Sequence, residues 1–123
     1  MNPNNLTIKS QEIFQKAQQL AFNEKNPNIE VEHLLKALLS DEDSPVDYLL
    51  KKNNVNVNFV ESKIDDSLHK LPKLEDGEPA QVISRDLNNV MLRAAATLKT
   101  FNDEFISVEH LLLLAILSLV VNV

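Results

Sequence analysis

A repeated pentad constrains the fold of this chain more than any other feature. Val31–Leu35 and Val108–Leu112 share the sequence VEHLL and stand 77 residues apart. An isoleucine lies two places before each pentad, and an apolar run follows each one. The same shift of 77 aligns the apolar residues of the preceding helices, Ile13, Phe14, Ala17 and Ala21 with Val90, Met91, Ala94 and Leu98. So many matches in one register in a chain of 123 residues indicate an internal duplication.

The composition limits the classes of protein to which this chain can belong. Hydrophobic residues make up 44% and charged residues 24%, which is typical of a single soluble domain with one core. One glycine and 5% aromatic residues argue against an all-β fold. The formal net charge of −6 argues against binding to nucleic acid. The absence of cysteine excludes disulfides, thiol nucleophiles and cysteine-ligated zinc.

The apolar segments do not suggest a membrane protein or a secreted one. The longest nearly apolar run, residues 111–121, is well short of the roughly 20 residues that a membrane-spanning helix needs. The N-terminal sequence MNPNNLTIKS has neither the basic region nor the apolar core of a signal peptide. We therefore expect a cytoplasmic protein that contacts no membrane.

Apolar spacing and helix-capping residues predict six helices. Thr7, Ser84 and Ser107 are predicted N-caps, because a hydroxyl can accept from the free amides of a first helical turn. The predicted helices are the segment from Thr7 to Asn26, residues 32–40, 45–50 and 59–71, the segment after Ser84, and residues 108–119. Residues 72–83 contain two prolines and the only glycine, and they predict a linker between repeat one, about residues 6–71, and repeat two, about residues 84–119.

The second repeat is expected to be truncated at its C-terminal end. A full copy of the first repeat would place two more helices after the sixth, whereas the sequence ends at Val123. An incomplete repeat leaves apolar surface uncovered, so we expect self-association or a mobile C-terminus.

Four segments of the sequence resemble the N-terminal domain of Clp-family AAA+ chaperones. They are LTIKSQEIFQKAQQLA, IEVEHLLKALL, LHKLPKLEDGE and FISVEHLLLLAIL. The opening motif and the linker are more similar to ClpB-type disaggregases than to ClpA or ClpC. The resemblance implies an all-α, pseudo-twofold double-repeat domain attached to an ATP-driven hexameric ring. In the family, this domain meets unfolded or aggregated protein before the ring threads it.

The sequence shows no catalytic apparatus. A chain with one glycine has no glycine-rich phosphate loop, so we expect no enzymatic activity and no cofactor in these residues. The resemblance implies that ATP and Mg²⁺ belong to the parent ring. The pentad histidines, His33 and His110, have no Glu or His four residues later, and we interpret them as packing or first-turn residues rather than metal ligands.

The acidic residues of the pentads are candidate binding residues. Glu32 and Glu109 each lie in the first turn of a predicted helix, where the helix dipole favours a carboxylate. The functional alternative is that they form two symmetry-related acceptors for basic groups on a client polypeptide. The resemblance implies a role in disaggregation for Thr7, Asp103 and Glu109. In ClpC-like relatives, the acidic residue of each repeat is associated with phosphoarginine recognition.

The resemblance also places a client-binding groove beside the fifth and sixth helices. Its position corresponds to Val90, Ala94, Leu98 and the start of the second pentad, including His110. An apolar stripe at helical spacing is also what a core-facing helix shows, and both interpretations stay open. Arg93 and Thr97, like His110, are polar where some relatives are apolar.

These observations predict a substrate-engaging domain of an ATP-dependent disaggregase. Its expected partners are unfolded or aggregated proteins, the parent hexamer, and an adaptor or co-chaperone. One alternative is an adaptor-docking or phosphoarginine-recognising domain of a ClpA/ClpC-type unfoldase. A second alternative is a helical oligomerisation module, which the apolar C-terminal segment suggests.

Overall fold

The computed structural model of the chain describes residues 6–80, 82–101 and 105–121. Six helices and one two-stranded parallel sheet account for most of these residues. In chain order they are α1 (Ile8–Asn23), β1 (Asn28–Ile29), α2 (Val31–Ser40), α3 (Val46–Lys52), α4 (Val57–His69), β2 (Val82–Ile83), α5 (Arg85–Phe101) and α6 (Val108–Val121). The predicted all-α fold is confirmed. None of the described helices combines the length and the apolar character that crossing a membrane requires.

Side-chain caps determine where several helices begin. The Thr7 and Ser84 hydroxyls accept from backbone N–H groups three residues later, as the sequence predicted, at 3.1 Å in each case. α4 begins two residues earlier than predicted, because the amide oxygen of Asn56 accepts from the N–H of Phe59 at 3.1 Å. Pro45 is the N-cap of α3 rather than its first helical residue, and α3 extends to Lys52.

The short strands pair across the two repeats. β2 pairs with β1 in parallel, with Ile83 opposite Ile29. The equivalent pairing joins Leu6, just before α1, to Ile106, just before α6, through a parallel bridge. The last two residues of the predicted linker therefore form a strand, and the residues that precede each repeat's first helix pair with the other repeat.

Two backbone hydrogen bonds show this pairing between the repeats in detail. The Thr7 N–H donates to the carbonyl of Ile106 at 3.0 Å, and the Ser84 N–H donates to the carbonyl of Ile29 at 2.9 Å. The shift of 77 residues relates Thr7 to Ser84 and Ile29 to Ile106, so the two bonds are equivalent under the duplication. The structure therefore has a pseudo-twofold relation between the repeats, and each repeat begins against the other one.

α2 and α6 form the centre of the core. α1 packs on α2, α5 packs on α6, and the two central helices pack on each other, while α4 covers the other side of α2. Most of their fully buried side chains are apolar and include Leu34, Leu38, Leu111 and Ala115. This arrangement follows from the sequence of the pentads, since each opens a run of apolar residues that requires burial on several faces.

Asn26 anchors the segment between the repeats to the end of α1. Its side-chain amide donates to the carbonyl of Pro72 at 2.9 Å, and its backbone carbonyl accepts from the N–H of Ala80 at 2.9 Å. The neighbouring Lys25 carbonyl accepts from the N–H of Leu74 at 2.7 Å. Residues 72–80 are therefore held against the first repeat by one hydrogen bond from the Asn26 side chain and two between backbone groups.

Candidate functional site

Thr7 connects the beginning of α1 to the approach to α6. Its hydroxyl accepts from the N–H of Ser10 at 3.1 Å and donates to the Ser10 hydroxyl at 2.9 Å. The buried Ser10 hydroxyl in turn donates to the Ile106 carbonyl at 2.9 Å, which also receives the Thr7 N–H. Thr7 therefore has a structural role as an N-cap, and its position places it beside the residues that lead into α6.

Exposed apolar and acidic residues flank this contact. Ile8 follows Thr7 and is 77% exposed, and Phe105 precedes Ile106 and is 49% exposed. Glu109 is exposed in the first turn of α6. We refer to Thr7, Ile8, Phe105 and Glu109 as the α1–α6 junction. Asp103, which the resemblance groups with Thr7 and Glu109, lies outside the described residues.

Glu32, the counterpart of Glu109, has a different environment. Its side chain is half-buried at the beginning of α2, whereas Glu109 is exposed. Burial raises the pKa of the Glu32 carboxyl, and the charges of Glu30 and Asp86 raise it further, against the opposing effect of a backbone hydrogen bond. The two candidate acceptors are related by the duplication but are not equivalent, since only Glu109 offers an exposed carboxylate.

The pentad histidines cap their own helices. His33 Nδ1 accepts from the N–H of Glu30 at 2.8 Å, and His110 Nδ1 accepts from the N–H of Ser107 at 3.0 Å. Each bond satisfies the N–H of an N-cap residue, as in a capping box. The sequence indicates packing or first-turn histidines, and the structure places both in the first turn of their helix, with His33 also fully buried. Among the described residues, no group of three or more His, Asp or Glu side chains has the geometry to hold a metal ion.

His33 is also a buried polar group with a fixed tautomer. Because Nδ1 accepts a hydrogen bond, the ring proton lies on Nε2, which is 2.8 Å from the amide oxygen of Asn26. Burial lowers the pKa of His33 to about 4, although the charge of Glu24 acts in the opposite direction. The imidazole is therefore neutral near pH 7 and links α2 to Asn26.

The predicted groove residues on α5 lie in the core. Val90, Ala94 and Leu98 are buried, because this stripe of α5 packs towards α6. Of the two interpretations that the sequence left open, the core-facing one describes their position. Arg93 is exposed and Thr97 is half-buried on the outer part of α5, where the Thr97 hydroxyl donates to the Arg93 carbonyl at 2.9 Å. His110 is half-buried at the beginning of α6.

Sequence reasoning missed a second apolar surface between α4 and α6. A groove of about 380 Å³ separates the two helices, and we call it the α4–α6 groove. Its lining is almost entirely apolar and includes Leu35, Leu39, Val60, Leu112, Ile116 and Leu119. The available signal was α6 itself, whose sequence is apolar on every face and therefore does not indicate which side is covered.

Comparisons with known proteins identify the family that shares this architecture. The sequence profile of the Clp repeat (R) N-terminal domain matches residues 5–119. ClpB of Porphyromonas gingivalis is 37% identical over 113 residues, and ClpB of Bacteroides thetaiotaomicron is 36% identical over the same length. Each alignment covers 92% of this chain and 13% of the relative. The chain thus spans a small part of these curated relatives.

Solved structures share the fold at lower sequence identity. The Hsp104 N-terminal domain from Candida albicans superimposes with a TM-score of 0.78 and 21% identity, over 90% of this chain and 73% of that one. The N-domain of ClpV from Vibrio cholerae gives a TM-score of 0.75 and 21% identity, over 90% of this chain and 66% of that one. The profile match over nearly all of the sequence, together with the ClpB relatives, shows that this chain belongs to the Clp repeat N-terminal domain family.

Proposed function

We propose that this domain binds unfolded or aggregated polypeptide for a ClpB-type, ATP-driven disaggregase. The observation that carries the proposal is the α1–α6 junction, where two exposed apolar residues directly adjoin the paired residues Thr7 and Ile106 in the chain and an exposed carboxylate follows in the first turn of α6. Non-native polypeptides present apolar segments that folded proteins bury, together with lysine and arginine side chains. Ile8 and Phe105 supply apolar contact area, and Glu109 supplies an acceptor for a basic group.

The fold is compatible with peptide binding. A ClpV N-domain with a TM-score of 0.75 and 21% identity to this chain has been solved in complex with a VipB peptide. That complex concerns ClpV, and it supports the idea that a Clp N-domain offers a surface for a peptide. Family membership adds the ClpB context, since the sequence relatives quoted above are ClpB chaperones.

The proposed mechanism divides the work between this domain and the ring. Weak binding at the junction keeps a client near the ring entrance, and several copies in a hexamer raise the effective concentration of the client there. ATP hydrolysis and threading belong to the ring. The domain therefore gains from modest affinity, because a client held too tightly would not be transferred.

Fluorescence anisotropy of a labelled, permanently unfolded protein, carboxymethylated α-lactalbumin, tests the proposal with the 123-residue chain. Glu109→Gln is expected to weaken binding about fivefold, the effect of losing a charge-assisted contact of about 1 kcal/mol. Phe105→Ala is expected to weaken it similarly. Asp103→Asn tests Asp103, which the family resemblance groups with Thr7 and Glu109. Glu78→Gln is the matched control, because Glu78 is an exposed carboxylate in the segment held at the opposite end of α1, a helix about 24 Å long.

Thr7 requires a separate design because it is an N-cap. Thr7→Ala removes the cap and is expected to cost about 1 kcal/mol of stability, whereas Thr7→Ser keeps the hydroxyl. Binding is compared at a temperature where both variants are folded. If Thr7→Ala binds the client more weakly and Thr7→Ser does not, the result supports a role for the hydroxyl. Equal binding by wild type, Glu109→Gln and Phe105→Ala, or equal binding to folded α-lactalbumin, contradicts the proposal.

A further inference from the structure

A buried carboxylate at the end of α2 holds the ammonium of Lys9. Lys9 lies in the first turn of α1, directly after Ile8 of the α1–α6 junction. Its Nζ is 2.8 Å from Oδ2 of Asp41, the C-cap residue of α2, and Asp41 is 3% exposed. Glu12 and Asp43 lie farther from the same ammonium, at 3.5 and 4.0 Å. The Lys9 side chain is therefore directed towards the end of α2.

The burial of Asp41 distinguishes this ion pair from one on the surface. The contact with Asp41 raises the pKa of Lys9. Burial acts to raise the pKa of Asp41, but the contact with Lys9 outweighs it and the pKa lies below its ordinary value. Lys16 is more distant, 3.9 Å from Oδ1. Because an unpaired buried charge is unfavourable, release of Lys9 would cost free energy, and the pair stays closed.

The second repeat shows how far a charge at this position acts. The shift of 77 residues aligns Lys9 with Asp86 and Glu109 with Glu32. Burial is the main cause of the raised pKa of Glu32, and the charges of Glu30 and Asp86 add to it. Equivalent backbone hydrogen bonds join the two helix starts at each junction. A charge at position 9 is therefore close enough to act on Glu109, unless its side chain is directed elsewhere.

We propose that Asp41 is a positioning residue that holds the Lys9 ammonium away from Glu109, so that the α1–α6 junction selects cationic apolar segments of a client. This inference rests on the proposed function and names the class of segment that the site accepts. An ammonium free to reach Glu109 would compete for this carboxylate with the lysine or arginine of a client. With Lys9 paired to Asp41, the acceptor is left for the client, and the exposed apolar residues of the junction supply contact area.

Fluorescence anisotropy of the 123-residue chain with two labelled peptides tests the proposal. One peptide contains leucine, glycine and lysine, and the other has glutamine in place of lysine. The wild type is expected to bind the lysine peptide more tightly. Asp41→Asn keeps an acceptor for the Asp43 N–H but releases Lys9, and it is expected to reduce this preference about two- to fivefold, the effect of a competing surface ion pair.

The double variant Lys9→Gln, Asp41→Asn separates positioning from stability. It is expected to recover the wild-type preference, because the competing ammonium is gone, whereas removal of Lys9 would not repair a damaged fold. The matched control is Asp65→Asn, which removes the same charge from a carboxylate that pairs with Lys36 at 2.9 Å. This control is expected to keep the wild-type preference. Circular dichroism establishes that each variant is folded.

Two further variants keep the proposal testable if Asp41→Asn does not fold. Lys9→Gln alone is expected to bind both peptides like the wild type, because the ammonium that it removes is already held away from Glu109. Ile8→Lys adds an ammonium that Asp41 does not hold, at a side chain that is 77% exposed. It is expected to lower the preference for the lysine peptide relative to Ile8→Gln.

The possible outcomes separate this inference from the proposed function. An unchanged preference in Asp41→Asn, a double variant that does not recover it, a stronger preference in Lys9→Gln, or an Ile8→Lys variant that equals Ile8→Gln overturns the inference. If Glu109→Gln abolishes the preference while Asp41→Asn retains it, the junction binds clients and only the role of Asp41 is refuted. A wild type that binds neither peptide refutes the proposed function, and this inference with it.

Discussion

Acid destabilisation through His33 is the prediction that the structure specifies in most detail. The imidazole is fully buried, accepts from the Glu30 N–H through Nδ1 and lies 2.8 Å from Asn26 through Nε2. Protonation would place a second N–H at Nδ1, where a backbone donor already points. Both the burial and this geometry favour the neutral ring, and the pKa of His33 is correspondingly lowered from 6.5 to about 4.

The sign and the size of the effect follow from this pKa. Because the folded-state pKa is lower than the unfolded value, the unfolded chain binds a proton first as the pH falls. The contribution of His33 is fully present above about pH 6.5 and is lost at about 1.4 kcal/mol per pH unit down to about pH 4. The total loss is about 3 kcal/mol, a large fraction of the 5 to 15 kcal/mol that stabilises a typical domain.

Urea unfolding followed by circular dichroism at a series of pH values measures this contribution. The informative range is pH 6.5 to 5, because the lowered carboxyl pKa values of Glu24 and Asp41 act in more acidic solution. His33→Gln is expected to be less stable at pH 7 but to lack most of the slope, since an amide does not titrate. His69→Gln, at an exposed histidine in α4, is the matched control and is expected to retain it. An equal slope in wild type and His33→Gln would refute the reasoning.

Two further substitutions test the contacts that hold the repeats and the linker together. Asn26→Ala is expected to lower the free energy of unfolding by about 2 to 4 kcal/mol, because it leaves the His33 ring N–H and the Pro72 carbonyl without their partner. Hydrogen exchange in residues 72–80 should also accelerate, and unchanged exchange there would contradict the anchoring role. Ser10→Ala is expected to cost about 1 kcal/mol by urea unfolding through loss of its bond to Ile106, whereas Ser62→Ala, at an exposed serine of α4, should have no measurable effect. Equal stability of these two serine variants would show that the Ser10 bond contributes nothing.

Local features of the fold were predictable from the sequence. The helices follow from apolar spacing, and the caps at Thr7 and Ser84 follow from the chemistry of a hydroxyl beside a first turn. The predicted start of α4 is two residues late, because Asn56 lies in an asparagine-rich turn, where the sequence does not distinguish a cap from its neighbours. Such features depend on a few neighbouring residues, so a sequence pattern is sufficient to place most of them.

Long-range features of the candidate site were less accessible. The strands are two residues long, and nothing in so short a segment shows that Ile83 pairs with Ile29 across the repeats. The stripe of Val90, Ala94 and Leu98 has the same spacing whether it lines a groove or the core, and only packing against α6 decides between them. The exposure of Glu109 and the half-burial of Glu32 likewise depend on which elements surround each helix end.

The pairing of strands across the repeats has a consequence for how a duplicated domain can acquire a site. The α1–α6 junction is built from the first helix of one repeat and the second helix of the other, so neither repeat contains it alone. The equivalent junction of α5 with α2 has the same backbone hydrogen bonds, and the two differ in their side chains: Glu32 is half-buried where Glu109 is exposed. The same shift aligns Asn26 with Asp103 in the sequence, an amide with a carboxylate. Shared backbone contacts keep both junctions folded, and under the proposed function substitutions at a few side-chain positions make one junction a binding surface while the other remains a structural anchor.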